Sequence, residues 1–71
     1  MNIIKLSVVI PAYNEAKSLK KGVLNEVFYY LSKRNYPWEV LLVDDGSTDQ
    51  TLKLLGNFAA KHKEFRVLAE P

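Results

Sequence analysis

The sequence predicts an α/β fold with the element order β-α-β-α-β. Three parallel strands lie in the order 3-2-1, with two helices as crossovers. Three observations carry this. Short β-branched or continuous apolar runs stand at Leu6–Ile10, Glu39–Asp44 and Phe65–Ala69. Between them the apolar period changes to that of a helix. A parallel connection of this kind is right-handed, so two crossovers added in one direction share one face of the sheet.

The elements follow in order. Leu6-Ser7-Val8-Val9-Ile10 is a strand, stopped by Pro11. Pro11-Ala12-Tyr13-Asn14 is a loop, with Asn14 a helix N-cap and Glu15 favourable in the first turn. From Glu15 to about Arg34, Leu19, Val23, Val27 and Leu31 recur every four residues, and Leu24 and Phe28 widen the stripe. Gly22 inside this helix costs about 1 kcal/mol against alanine, so the helix needs tertiary support. Asn35-Tyr36-Pro37 ends it. Glu39-Val40-Leu41-Leu42-Val43-Asp44 is a strand whose unbroken apolar run predicts burial on both faces. Ser47 and Gln50 have the spacing of a capping box, opening a helix that runs to about His62. Leu52, Leu55, Phe58 and Ala59 form its inner stripe. Tyr29, Tyr30 and Trp38 are expected in the core or at its edge, and Thr48 and Asp49 as capping groups.

Composition excludes whole classes. The 71 residues are 48% hydrophobic and carry a net charge of +2, which is not the balance of a disordered chain. There is no cysteine, hence no disulfide framework or thiolate metal site. The lysines are scattered and form no stripe for nucleic acid. No apolar run approaches the roughly 20 residues of a membrane span, and Met1–Lys5 does not have the form of a signal peptide. A cytoplasmic location, or the cytoplasmic face of a membrane, is the expectation. One histidine, His62, leaves little basis for a histidine metal site or a Ser-His pair.

In open parallel sheets, ligands bind beyond the C-terminal strand ends. Those ends carry Pro11-Ala12-Tyr13-Asn14-Glu15 and Asp44-Asp45-Gly46-Ser47. Tyr13 offers a ring on which a base can stack. Glu15 and Asp45 are acceptors suited to ribose hydroxyls and to the imino N–H of uracil or guanine. Acidic groups repel phosphates, so a diphosphate must sit elsewhere or be screened by a metal. A dinucleotide site would show Gly-X-Gly-X-X-Gly after the first strand, where this chain has Pro-Ala-Tyr-Asn-Glu. A phosphoacceptor receiver would place its acidic pair after the first strand and a further Asp after the third; neither is present.

Ser7–Glu15 together with Glu39–Thr51 resembles the opening of a family-two glycosyltransferase of the Rossmann-like GT-A fold. The Asn14-Glu15 ending and the Glu39-Val40 entry look most like the branch that uses dolichyl or other polyprenyl phosphates. The resemblance implies that residues 1–71 are a single partial domain, the nucleotide-binding portion of a catalytic domain. It implies a UDP- or GDP-sugar donor and a polyprenyl phosphate acceptor. By this resemblance Pro11, Ala12 and Tyr13 would line the nucleoside pocket, Glu15 would lie near ribose or base, Asp45 would contact the base, and Val43 and Asp44 would shape the wall. It also implies Mg²⁺ or Mn²⁺ held by an Asp-X-Asp motif after a fourth strand; no Asp occurs after Asp49. No catalytic residue and no metal ligand is therefore assigned within the chain, and activity of these residues alone is not expected. The rival readings are a stand-alone nucleotide-binding module and an inert structural fragment. The chain alone is expected to be marginally stable or to self-associate through the uncovered sheet face.

Overall fold

The computed structural model describes residues 3–70. Its elements are β1 (Leu6–Ala12), α1 (Ala16–Lys20), α2 (Val23–Ser32), β2 (Trp38–Asp45), α3 (Thr51–Lys61) and β3 (Phe65–Glu70). The sheet has three parallel strands in the order β1-β2-β3, the expected order read from the other edge. Ala12 is in register with Asp44, and Asp44 with Ala69. Pro11 does not stop β1 but lies within it, opposite Val43. Proline is tolerated there because β1 is an edge strand and has a neighbour on one side only.

Strand alternation separates the two faces. Trp38, Val40, Leu42 and Asp44 are buried, while Glu39, Leu41 and Val43 are half-buried and Asp45 is exposed. Leu42 is wholly enclosed at 0% exposure. The core beneath the helices joins Val40, Leu42 and Phe65 to Leu24, Leu31 and Leu55. The opposite face carries Val9 at 60% and Leu68 at 47% exposure. The unbroken apolar run of β2 is therefore buried on one face and only half-buried on the other. Low on this free face, Ser7 Oγ donates to Glu39 Oε2 at 2.6 Å, and Arg66 reaches Glu39 Oε1 at 3.4 Å.

The helix expected over residues 15–34 is two helices. Gly22 adopts φ +92°, a left-handed conformation that ends α1 and opens α2. The amides of Lys21 and Gly22 donate back to Ser18 and Leu19, which closes the last turn of α1. A single glycine thus becomes a bend, because only glycine takes this conformation without steric cost. In α3, Leu52 is exposed and does not join the inner stripe, whereas Leu55, Phe58 and Ala59 do.

Aromatic residues close the end of the sheet where β2 and β3 begin. Trp38 and Phe65 meet edge-to-face at 6.0 Å, and Phe58 meets Phe65 at 4.8 Å. His62 stacks on Phe58 at 4.1 Å and so belongs to this cluster. Tyr29 and Tyr30 lie outside the core, at 64% and 62% exposure. Each ring is covered by a cation one turn on: Lys33 at 4.2 Å and Arg34 at 4.3 Å. Among the described residues no helix is long and apolar enough to cross a membrane.

Candidate functional site

The other end of the sheet is polar. Two loops leave the C-terminal ends of adjacent strands there, β1 to α1 and β2 to α3. Of the expected caps only that of Asp49 is present, its Oδ1 accepting the amide of Thr51 at the start of α3. The N-cap of α1 is Glu15 and that of α3 is Gln50, and neither makes a side-chain cap bond. Asn14 does not cap its helix, and Ser47 with Gln50 does not form a capping box. The polar side chains cap across the gap between the loops instead.

Three connections make this tie. The Asn14 amide donates to Ser47 Oγ at 2.9 Å. Asn14 Oδ1 accepts from the amides of Thr48 at 2.9 Å and Asp49 at 3.3 Å. The first amides before α1 are satisfied from α3: Glu15 N donates to Thr51 Oγ1 at 2.7 Å and Ala16 N to Asp49 Oδ2 at 3.3 Å. Thr51, at 0% exposure, passes its own hydroxyl proton toward Asp49 Oδ1, which also accepts the Thr51 amide at 2.8 Å.

This arrangement fixes the charge of Asp49. The Thr51 hydroxyl is the main reason its carboxyl is held below the ordinary value. Desolvation opposes this, and the amides of Thr51, Ala16 and Asp49 itself add to it. The carboxylate also occupies amides at the start of α1 and α3 that in other α/β folds receive a phosphate. Residues 11–15 and 43–49 contain four acidic groups and no Lys or Arg. An anion therefore meets no cation on these two loops and finds the leading amides of both helices engaged, and the rim is suited to donors on a base or a ribose.

The seven sequence-predicted site residues divide by face. Pro11 and Val43 are partners in register and alternate with buried neighbours, so both belong to the helix-free face, as does the exposed Asp45. Ala12 and Asp44 lie under the helices, at 6% and 3% exposure. Tyr13, at 55% exposure, and Glu15 stand on the loop above. Asp44 Oδ2 accepts the Ser47 amide at 3.3 Å, while Asp44 Oδ1 is buried with no partner in the structure. Asp44 thus supports the turn from below, and Gly46, at φ +76°, lets that turn reverse tightly. Sequence reasoning passed over Asn14, Ser47, Asp49 and Thr51 as the groups joining the loops. The available signal was two polar loops at neighbouring strand ends, each rich in side chains that bond to backbone.

One concave region away from the rim lacks this chemistry. A groove of about 470 Å³ runs between β1 and α2, lined by Leu6, Val8, Ile10, Val27 and Tyr30, with Glu26 at its margin. It has little with which to read a nucleotide. Among the described residues no cluster of three or more His, Asp or Glu side chains could hold a metal ion. Both Asp49 oxygens and both Glu39 oxygens already have partners.

Comparison with known proteins gives the same direction. A dolichyl-phosphate beta-glucosyltransferase of Trichomonas vaginalis is 40% identical over 68 residues, covering 89% of this chain and 20% of the relative. The dolichyl-phosphate beta-glucosyltransferase of Homo sapiens is 41% identical over 68 residues, covering 89% of this chain and 21% of the relative. The chain therefore spans about a fifth of the length of such relatives. Among solved structures, S. aureus TarS 1-349 in complex with UDP superposes with a TM-score of 0.69 at 36% identity, over 94% of this chain and 19% of that one. The mannosyltransferase PcManGT from Pyrobaculum calidifontis, in complex with GDP-Man and Mn2+, gives 0.67 at 28%, over 93% and 19%. The profile described as Glycosyl transferase family 2 matches residues 7–71, and the chain belongs to that family.

Proposed function

We propose that this chain carries the donor-nucleoside half-site of a glycosyltransferase that moves a hexosyl group from a UDP- or GDP-sugar to a polyprenyl phosphate. One observation carries the reading. The loops bearing Tyr13, Glu15 and Asp45 are joined into a single acidic rim in which the amides of Asn14, Glu15, Ala16 and Thr48 are bonded across the gap between the loops. Asp45 accepts from the imino N–H of the base, Tyr13 stacks on the base, and Glu15 accepts from ribose hydroxyls. Pro11 and Val43 form the apolar floor, while Ala12 and Asp44 support it from the covered side. Names among the comparisons support the substrate classes: structures in complex with UDP or with GDP-Man, and relatives that act on dolichyl phosphate.

A divalent ion, Mg²⁺ or Mn²⁺, belongs to this proposal, with Mn2+ present in one structural neighbour. The described residues do not provide its ligands, so the 71 residues alone bind nucleoside and transfer no sugar. A lipid phosphate acceptor places the working enzyme at a membrane surface.

Titration with UDP and with GDP, followed by amide chemical shifts, tests the reading. Affinity on the order of millimolar is expected, since only base and ribose find partners. Asp45→Ala removes an acceptor worth about 1–3 kcal/mol and is expected to weaken binding by about fivefold or more. Affinity unchanged in Asp45→Ala rejects the assigned role of Asp45.

A further inference from the structure

Asn14 has no contact with base or ribose in the proposed arrangement, yet it lies between Tyr13 and Glu15, which do. We infer that Asn14 is a positioning residue: it sets Tyr13 and Glu15 against the Asp45 turn, and so determines nucleoside affinity without touching the nucleoside. The inference rests on the donor-nucleoside reading of this rim.

Two independent features of Asn14 support it. Its backbone has φ +51°, the only positive φ outside glycine among the described residues. Most side chains avoid that region, and asparagine is among the few that tolerate it. The left-handed residue turns the chain between the end of β1 at Ala12 and the start of α1 at Ala16. The second feature is the side chain. Oδ1 accepts the Thr48 and Asp49 amides at 2.9 and 3.3 Å, and the Thr48 hydroxyl lies 3.4 Å away. The Asn14 amide in turn donates to Ser47 Oγ. These partners lie 33–35 residues away in sequence and directly follow the Asp45-Gly46 turn. One residue thus sets the backbone direction of the first loop and holds the second loop to it.

The features separate by substitution. Asn14→Gly keeps the left-handed backbone and loses the acceptor. Asn14→Asp keeps an acceptor and tolerates the backbone, but adds charge to an acidic rim. Asn14→Ala loses both. Amide hydrogen exchange and UDP and GDP titrations on the 71-residue chain and these three variants give the test. Exchange at Thr48 and Asp49 is expected to rise about tenfold in Asn14→Ala and Asn14→Gly, and much less in Asn14→Asp. Nucleotide affinity is expected to fall about tenfold in Asn14→Ala, with Asn14→Asp recovering part of it, while exchange at Val40 and Leu42 stays at the wild-type rate. Equal loss of protection at Thr48 and Leu42 would mean a general loss of stability and overturns the inference. So does wild-type affinity in Asn14→Ala. A wild-type chain that binds neither nucleotide rejects the nucleoside reading itself, and with it any positioning role toward that ligand; unchanged exchange at Thr48 in Asn14→Ala rejects the tie alone.

Discussion

Leu42→Ala is expected to abolish cooperative folding of the chain. Leu42 sits in the central strand at 0% exposure, between Ile10 of β1 and Val67 of β3. It joins the sheet to the core residues Leu24, Leu31 and Leu55 under the helices. Truncating such a residue costs about 2–5 kcal/mol, in lost transfer energy and in the cavity left behind. A domain of this size has a total stability of about 4–10 kcal/mol. The uncovered face, with Val9 and Leu68 open to water, puts this chain toward the lower end. Leu68→Ala on the free face is the control, expected to change stability by less than about 0.5 kcal/mol. Thermal melts by circular dichroism read both. A cooperative Leu42→Ala melt near the wild-type midpoint contradicts this account of the core.

Thr51→Val is expected to uncouple the two rim loops. The replacement is nearly isosteric and keeps α3, but it removes a hydroxyl that accepts the Glu15 amide and donates to Asp49. It leaves the Glu15 amide without a partner near a wholly buried position, at a cost of about 1–3 kcal/mol. The acid response follows with a definite sign. The Asp49 carboxyl is lowered in the folded chain, so its contribution is complete above its unfolded value of 3.8 and is lost as pH falls through the lower folded value. Thr51→Val removes the main cause of that lowering, so the Asp49 titration moves up toward 3.8 and this acid-dependent contribution shrinks. Carboxyl chemical shifts followed from pH 6 to pH 2 give the titration. An Asp49 midpoint equal in wild type and variant shows that Thr51 is not its controlling partner.

Much of this fold can be read from the sequence because period and burial agree. Leu6, Val8 and Ile10 alternate, Leu24 and Leu31 lie two helical turns apart, and right-handed crossovers added in one direction then give the sheet order. What escaped the sequence was decided by contacts between distant segments. Gly22 reads as a weak point within one helix, and only its left-handed conformation shows that it divides two. Tyr29 and Tyr30 have the apolarity of core residues, but each finds a cation one turn on and stays at the surface. The run Val40–Val43 looks buried on both faces because composition does not say which face the helices cover. The rim shows the same division. Tyr13, Glu15 and Asp45 were legible as groups with chemistry at strand ends. Asn14 and Ser47 read as local caps and Asp49 as one that serves only its own helix, since a side chain that caps its own helix and one that caps its neighbour's loop look alike in sequence.

The central claim is that this rim holds the nucleoside and not the phosphates. Amide shift titrations of the wild-type chain with uridine, guanosine and inorganic pyrophosphate, beside UDP and GDP, test it most directly. The expected result is that the preferred nucleoside alone reproduces the pattern of its diphosphate at Tyr13, Glu15 and Asp45 through Thr48, while pyrophosphate moves none of these. Pyrophosphate alone producing that pattern, or nucleosides shifting only residues away from Tyr13 and Asp45, would contradict it.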